Sequence, residues 1–209
     1  MNLTSYQTAI AAKLDDTSNT RFTTAQIDEA LRSALLEYSR LVPVERTYIL
    51  ATTGEARMSL PVDFVAAAIT KAEYEPDSTT YTFESSVPFR AAFEDEGWWV
   101  EVYDADGDLI PIDQVISLTY AMLHQVDGLD SAAGTTIYPR HEQYLVMGAA
   151  GYALLSRSTS RIEAINLNPQ VAAEMRQQAG AYLMEFRNGI AREAKFVRND
   201  PVYQEPKGY

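Results

Sequence analysis

Apolar residues recur at helical spacing near both ends of the chain and alternate with polar ones in the middle. Leu3, Tyr6, Ile10 and Leu14 fall on one side of a helix over 3–14, and the polar run 15–21 breaks it. The next helix has a full start signal. Thr23 and Gln26 form a capping box, and Phe22 with Ile27 forms a hydrophobic staple. Ile27, Ala30, Leu31, Ala34, Leu35, Tyr38 and Leu41 make its buried stripe, and Pro43 stops it near Val42. A third helix starts at Pro139, whose fixed φ suits a first turn. Apolar or small residues cover most of its circumference, which predicts burial on more than one side. Its Gly148 and Gly151 each cost about 1 kcal/mol relative to Ala, so they point to a close backbone contact. A fourth helix starts with Asn168 as cap and Pro169 as first residue. Its stripe runs Val171, Met175, Ala179, Tyr182, Leu183, Phe186 and Ile190.

Between the two helix pairs the period changes. Residues 45–50 alternate and read as a strand, 53–55 as a turn, and 57–60 as a short returning strand. Residues 65–74 fit helix or strand, with a strand favoured over 69–74. One helical turn fits 89–93. Trp98 to Tyr103 reads as a strand, 105–108 as a tight turn, and 109–112 as its partner. Residues 115–123 form another strand, and 125–136 a Gly/Ser/Ala-rich loop. The prediction is a mainly α protein with a β insertion (α+β). It has a four-helix bundle-like core, an inserted β-hairpin or β-sheet module and an extended C-terminal tail. The segments are 1–43 (first helix pair), 44–137 (β-rich acidic insertion), 138–197 (second helix pair) and 198–209 (tail).

Charge sharpens this division. The net charge is −12, which argues against binding the outside of DNA over a broad surface. Twelve carboxylates lie between Glu73 and Asp113, where Arg90 is the only base. The asymmetry points to one face or projection that is separately specialised, with a merely solvated acidic surface as the default alternative. With no cysteine there is no disulfide, thiolate metal site or cysteine nucleophile. The first residues lack the basic-then-apolar pattern of a signal peptide, and no run of 18 apolar residues predicts a membrane span.

Candidate chemistry is sparse. Asp104, Asp106 and Asp108 with Gly107 resemble a calcium loop, but the glycine falls at loop position four instead of six, and Val115 stands at position twelve. A solvated turn is the better reading. His124 and His141 lie in different elements without metal-ligand spacing, and His141-Glu142 reads as a solvated first helical turn. Trp98 and Trp99, adjacent on a strand, point to opposite faces, one toward the core and one toward a protein interface. Glu94 and Glu101 could act as a carboxylate pair in a hydrolase, the less favoured alternative; a scaffold binding one partner through Trp98 and Trp99 is another. No catalytic residue, cofactor or metal site is assigned.

The succession of segments resembles a known family, the head–tail connector or adaptor proteins of tailed bacteriophages. This family includes the head-completion proteins of long-tailed phages and the tail tubular A-type proteins of short-tailed ones. The resemblance rests on the helix FTTAQIDEALRSALLEYSRL, the strand VERTYIL and Leu60-Pro61-Val62-Asp63-Phe64, similar to the family's L-P-x-D-F segment. It continues through the strand VISLTYAML, the helix start YPRHEQYL and a last helix ending in AYLMEFRNGIARE; residues 77–113 match least. It implies a homo-oligomeric ring, a dodecamer, below the portal protein in the virion neck, assembled in the host cytoplasm. The ring would seal the head and dock the tail or a second connector protein. Double-stranded DNA would pass through the lumen without specific binding, and neither catalysis nor a membrane is involved. Carried onto this chain, portal contact falls to Arg192, Lys195, Phe196, Arg198, Tyr203 and Tyr209. The tail-facing or luminal surface falls to Trp98, Trp99, Glu101, Asp104, Asp106 and Asp108. Gly148, Gly151 and Tyr152 would pack helices of neighbouring subunits.

Overall fold

The computed structural model describes residues 1–53, 55, 57–61, 68–74, 85–94, 97–104, 107–110, 114–162 and 169–198, with backbone alone at 85, 160–162, 169 and 194–198. The chain forms two compact units. One is Met1–Pro43 with His124–Tyr209, and the other is Val44–Leu123.

In the helical unit, α1 (Leu3–Lys13) is capped by Asn2, whose side chain accepts from the Ser5 N–H at 3.0 Å. Helix α2 (Thr24–Leu41) starts with the expected capping box between Thr23 and Gln26. The 3₁₀ turn Pro139–His141 leads into α3 (Glu142–Ile162), and α4 (Pro169–Arg198) follows. Helix α3 is the hub: it packs against α1, α2 and α4, whereas α4 barely meets α2. The expected mainly α, four-helix bundle-like core is therefore incorrect. The chain is an α+β protein of four helices and two antiparallel sheets. The physical reason is length. At 11 residues α1 runs three turns and cannot flank the 30-residue α4 as an equal partner.

Gly148 and Gly151 do mark close contacts. A Cβ on Gly148 would lie 2.9 Å from Cγ of Phe186, and one on Gly151 would lie 2.9 Å from Cγ of Leu183. Both contacts seat α4 against α3 within one chain. The loop 124–137, assigned to the insertion from its composition, belongs to the helical unit. Val126, Leu129 and Ile137 are buried in the helical core, and the Leu3 N–H donates to the Asp127 carbonyl at 2.9 Å.

The β unit holds β1 (Val44–Ala51), β2 (Met58–Ser59), β3 (Ala68–Tyr74), β4 (Ser85–Ser86), β5 (Phe89–Glu94), β6 (Gly97–Val102) and β7 (Val115–Met122). One sheet has the order β1-β7-β3-β4, with β4 only two residues long; the other has the order β2-β6-β5. Met58, Val100 and Val102 from the second sheet pack with Ala72, Ile116 and Leu118 from the first, so the sheets share one apolar layer. Three local readings change. Residues 89–94 are a strand and not a helical turn, because Phe89 to Glu94 pairs along β6. β2 does not return on β1 but pairs with β6. Among the described residues, 109–112 supplies only the single bridge from Leu109 to Tyr103. No helix among the described residues is long and apolar enough to cross a membrane.

Candidate functional site

The β unit contains fifteen carboxylates and four bases, Arg46, Arg57, Lys71 and Arg90, so it carries −11 of the net −12. Strand β6 sends successive side chains to opposite faces. Trp98 packs on the shared apolar layer and meets Phe93 edge-on at 6.0 Å between ring centroids. Trp99 faces the other way, where the Arg57 guanidinium lies 3.7 Å from its ring centroid and that of Arg90 lies 5.9 Å away. It is nonetheless the more buried of the two, at 6% exposed. Its planar cover is a cation–π stack, worth more than an exposed ion pair because Trp99 is desolvated.

Glu94, Glu101 and Asp104 are engaged in local structure. Glu94 pairs with Arg57 at 3.0 Å, and Glu101 accepts from the Tyr103 hydroxyl at 2.9 Å. On the β5–β6 ladder Glu94 lies opposite Gly97 and Glu101 opposite Arg90, four residue steps or roughly 13 Å apart along the strands. Asp104 accepts from the Asp108 N–H at 2.9 Å and closes the turn at Gly107, whose φ of 88° is in the left-handed region. Asp108 is exposed, and Asp106 lies outside the described residues. Among the described residues, no group of three or more His, Asp or Glu is placed to hold a metal ion.

In the helical unit the structure gives the proposed subunit-packing residues intramolecular roles. Gly148 and Gly151 contact α4 of their own chain. The Tyr152 hydroxyl donates to Glu37 Oε2 at 2.6 Å, and Arg187 Nε donates to Glu37 Oε1 at 2.5 Å. Burial pushes the Glu37 carboxyl up, but the bonds from Arg187 and Tyr152 outweigh it and hold the group below its ordinary range. This triad joins α2, α3 and α4. Of the expected portal contacts, Arg192 is exposed on α4, with Nε donating to the Asn188 carbonyl at 3.3 Å. Lys195, Phe196 and Arg198 lie on the last turns of α4; Tyr203 and Tyr209 lie outside the described residues.

Sequence reasoning missed a buried polar cluster. His141 is fully buried, not a solvated first turn, and its Nδ1 meets the Tyr38 hydroxyl at 2.7 Å. His141 Nε2 is buried with no hydrogen-bond partner among the described residues. His124 lies 4.4 Å from Tyr38, centroid to centroid. The assignment that satisfies both His124 ring nitrogens has Nε2–H donating to the Val42 carbonyl at 2.7 Å. Thr136 Oγ1 then donates to Nδ1 at 3.1 Å. The His124 N–H also donates to Ser39 Oγ at 2.9 Å. One side chain thus ties together the two places where the chain leaves and re-enters the helical unit. Burial lowers both imidazole pKa values, with Arg140 adding to the effect at His141. Burial also raises the Tyr38 phenol. A neutral histidine facing a phenol that resists ionisation is a core contact, not an activated nucleophile. No local signal marked it, since Tyr38 and His141 are 103 positions apart.

No protein-family model and no curated protein matches this chain.

Proposed function

We propose that this chain is a non-catalytic structural protein of a bacteriophage virion, a head–tail connector subunit that forms a ring below the portal. The ring, dodecameric by the family resemblance, seals the head, docks the tail or a second connector, and leaves a channel for DNA. The observation that carries this reading is the segregation of charge. The β unit holds −11, while the rest of the chain, with thirteen bases against fourteen carboxylates, is nearly neutral. In a ring, a unit so acidic would present a lumen that repels a polyanion, so DNA slides without adhering. The last turns of α4 carry Arg192, Lys195 and Arg198 in their sequence, residue types suited to contact with an acidic partner surface.

The test is negative-stain imaging of the purified protein, alone and mixed with portal rings or emptied heads from the same source. An added layer at the portal vertex supports the reading, and removal of residues 199–209 should abolish that layer while the helical content stays unchanged. A particle that ignores the portal would refute it.

A further inference from the structure

The sheets of the β unit have four edge strands, β1 and β4 in one and β2 and β5 in the other; β2 and β4 are two residues long, and the pattern of backbone hydrogen bonds shows which groups the longer edges, β1 and β5, present. The Thr52 N–H donates to the Gln114 carbonyl at 2.8 Å, directly across the β1–β7 ladder. Opposed residues alternate between bonded and non-bonded pairs. Even-numbered residues of β1 therefore bond to β7, and Glu45, Thr47, Ile49 and Ala51 direct their N–H and C=O groups outward. In the other sheet, the Tyr103 N–H donates to the Pro88 carbonyl at 2.9 Å, in register with the β5–β6 ladder. By the same alternation, Phe89, Ala91 and Phe93 direct theirs outward.

The two edges lie at opposite sides of the unit. β5 follows β4 through Val87 and Pro88 and packs beside β3, whereas β1 closes the far end of the first sheet. Edges are commonly guarded by proline, lysine or short length. Neither β1 nor β5 contains a proline or a lysine, and they span 8 and 6 residues. Among the described residues, the two most exposed large apolar side chains of the unit sit on these strands, Phe93 at 61% and Ile49 at 58%.

We infer that β1 of one copy pairs antiparallel with β5 of a second copy, extending the sheet from subunit to subunit. The occupant is a second copy because the two edges complement each other. Only one antiparallel register with outward groups opposed sets opposite charges face to face. It places Arg46 across from Glu94, Thr47 across from Phe93, Ile49 across from Ala91 and Ala51 across from Phe89. A contact between two different edges on opposite sides is heterologous, the kind a closed ring requires. The inference deepens the connector reading, which supplies the ring.

The chain's lack of cysteine allows a clean test. Equal amounts of full-length Ile49→Cys and Ala91→Cys proteins are mixed, oxidised and run without reductant, each variant alone serving as control. The expected result is a disulfide-linked dimer in the mixture only. In parallel, Thr47→Pro removes an outward N–H that β7 does not use. It should weaken self-association about tenfold or more by sedimentation, with an unchanged melting curve. A disulfide in the Ile49→Cys control alone would mean symmetric β1 pairing and overturn the inference, as would no disulfide at all. Rings on the portal without the mixed disulfide would also overturn it and leave the connector reading standing. The mixed disulfide in a protein that ignores the portal would do the reverse.

Discussion

Replacing Gly148 with alanine separates helix propensity from packing. In an ordinary helix interior Gly→Ala stabilises by about 1 kcal/mol. Gly180 on α4 provides that reference, being exposed with no atom within 4 Å of an added Cβ. At Gly148 the same methyl would lie 2.9 Å from Cγ of Phe186 and 3.1 Å from each Cδ. Carbon atoms pack at about 3.5–4.0 Å, so the methyl overlaps the ring by roughly 0.5–1 Å. Phe186 is fully buried and cannot swing into solvent. Overpacking of this kind costs roughly 1–3 kcal/mol, which cancels or exceeds the propensity gain. Gly148→Ala should therefore be neutral to about 2 kcal/mol destabilising, and Gly180→Ala about 1 kcal/mol stabilising. The melting temperatures of the two variants should differ by roughly 2–10 °C for a chain of this size. The assay is urea and thermal unfolding followed by circular dichroism at the helical band, since the two units need not unfold together. If Gly148→Ala stabilises as much as Gly180→Ala, the close approach of α3 and α4 is not what holds the glycine there.

Tyr38→Phe removes the hydroxyl that meets His141 Nδ1 and leaves both ring nitrogens without a partner in the core; it should cost about 1–3 kcal/mol in urea titrations, and a loss below about 0.5 would count against that bond. The buried imidazoles also predict a pH response. Both folded-state pKa values lie below the unfolded value near 6.5, so the stability they confer is complete above about pH 6.5. As pH falls from there to each folded-state pKa, the unfolded chain takes up protons that the folded chain excludes, and stability drops by up to about 1.4 kcal/mol per unit per histidine. Melting temperatures at pH 7.5 and 5.5 should differ in wild type and converge in a His124→Gln/His141→Gln variant; an equal difference in both proteins would assign the effect to other groups. The lowered carboxyls of Glu37, Asp16 and Asp130 titrate below this window. Glu37→Gln should cost about 1 kcal/mol or less, because Arg187 is 53% exposed, and the variant should lose less stability in molar salt than wild type does.

Sequence legibility tracked the range of the physical cause. The capping box at Thr23 and Gln26, the buried stripe from Ile27 to Tyr38 and the start of α4 at Pro169 depend on residues within one or two turns, whereas Leu41, expected in the same stripe, is exposed. The strands at 44–51 and 115–122 were likewise readable from alternation. Segment 89–93 was not, because nothing in FRAAF excludes a helical turn; its strand conformation comes from the ladder with β6. The pairing of β2 with β6, rather than with its neighbour in sequence, has the same origin. Among the candidate sites, the opposite faces of Trp98 and Trp99 followed from strand geometry, whereas the Arg57 stack on Trp99 needed a side chain from a different strand edge.

The amino-acid sequence by itself determined where the four helices and the long strands begin, the concentration of negative charge in the middle segment and the presence of glycines that demand a close contact. Each of these is set by composition or by neighbours a few positions apart. Tertiary structure alone decided that α3 is the hub in place of a four-helix bundle, that the glycines face α4 of the same chain, and that His141 lies under Tyr38. Those outcomes depend on which distant surfaces meet, and burial is a property of the packed pair, not of either residue alone.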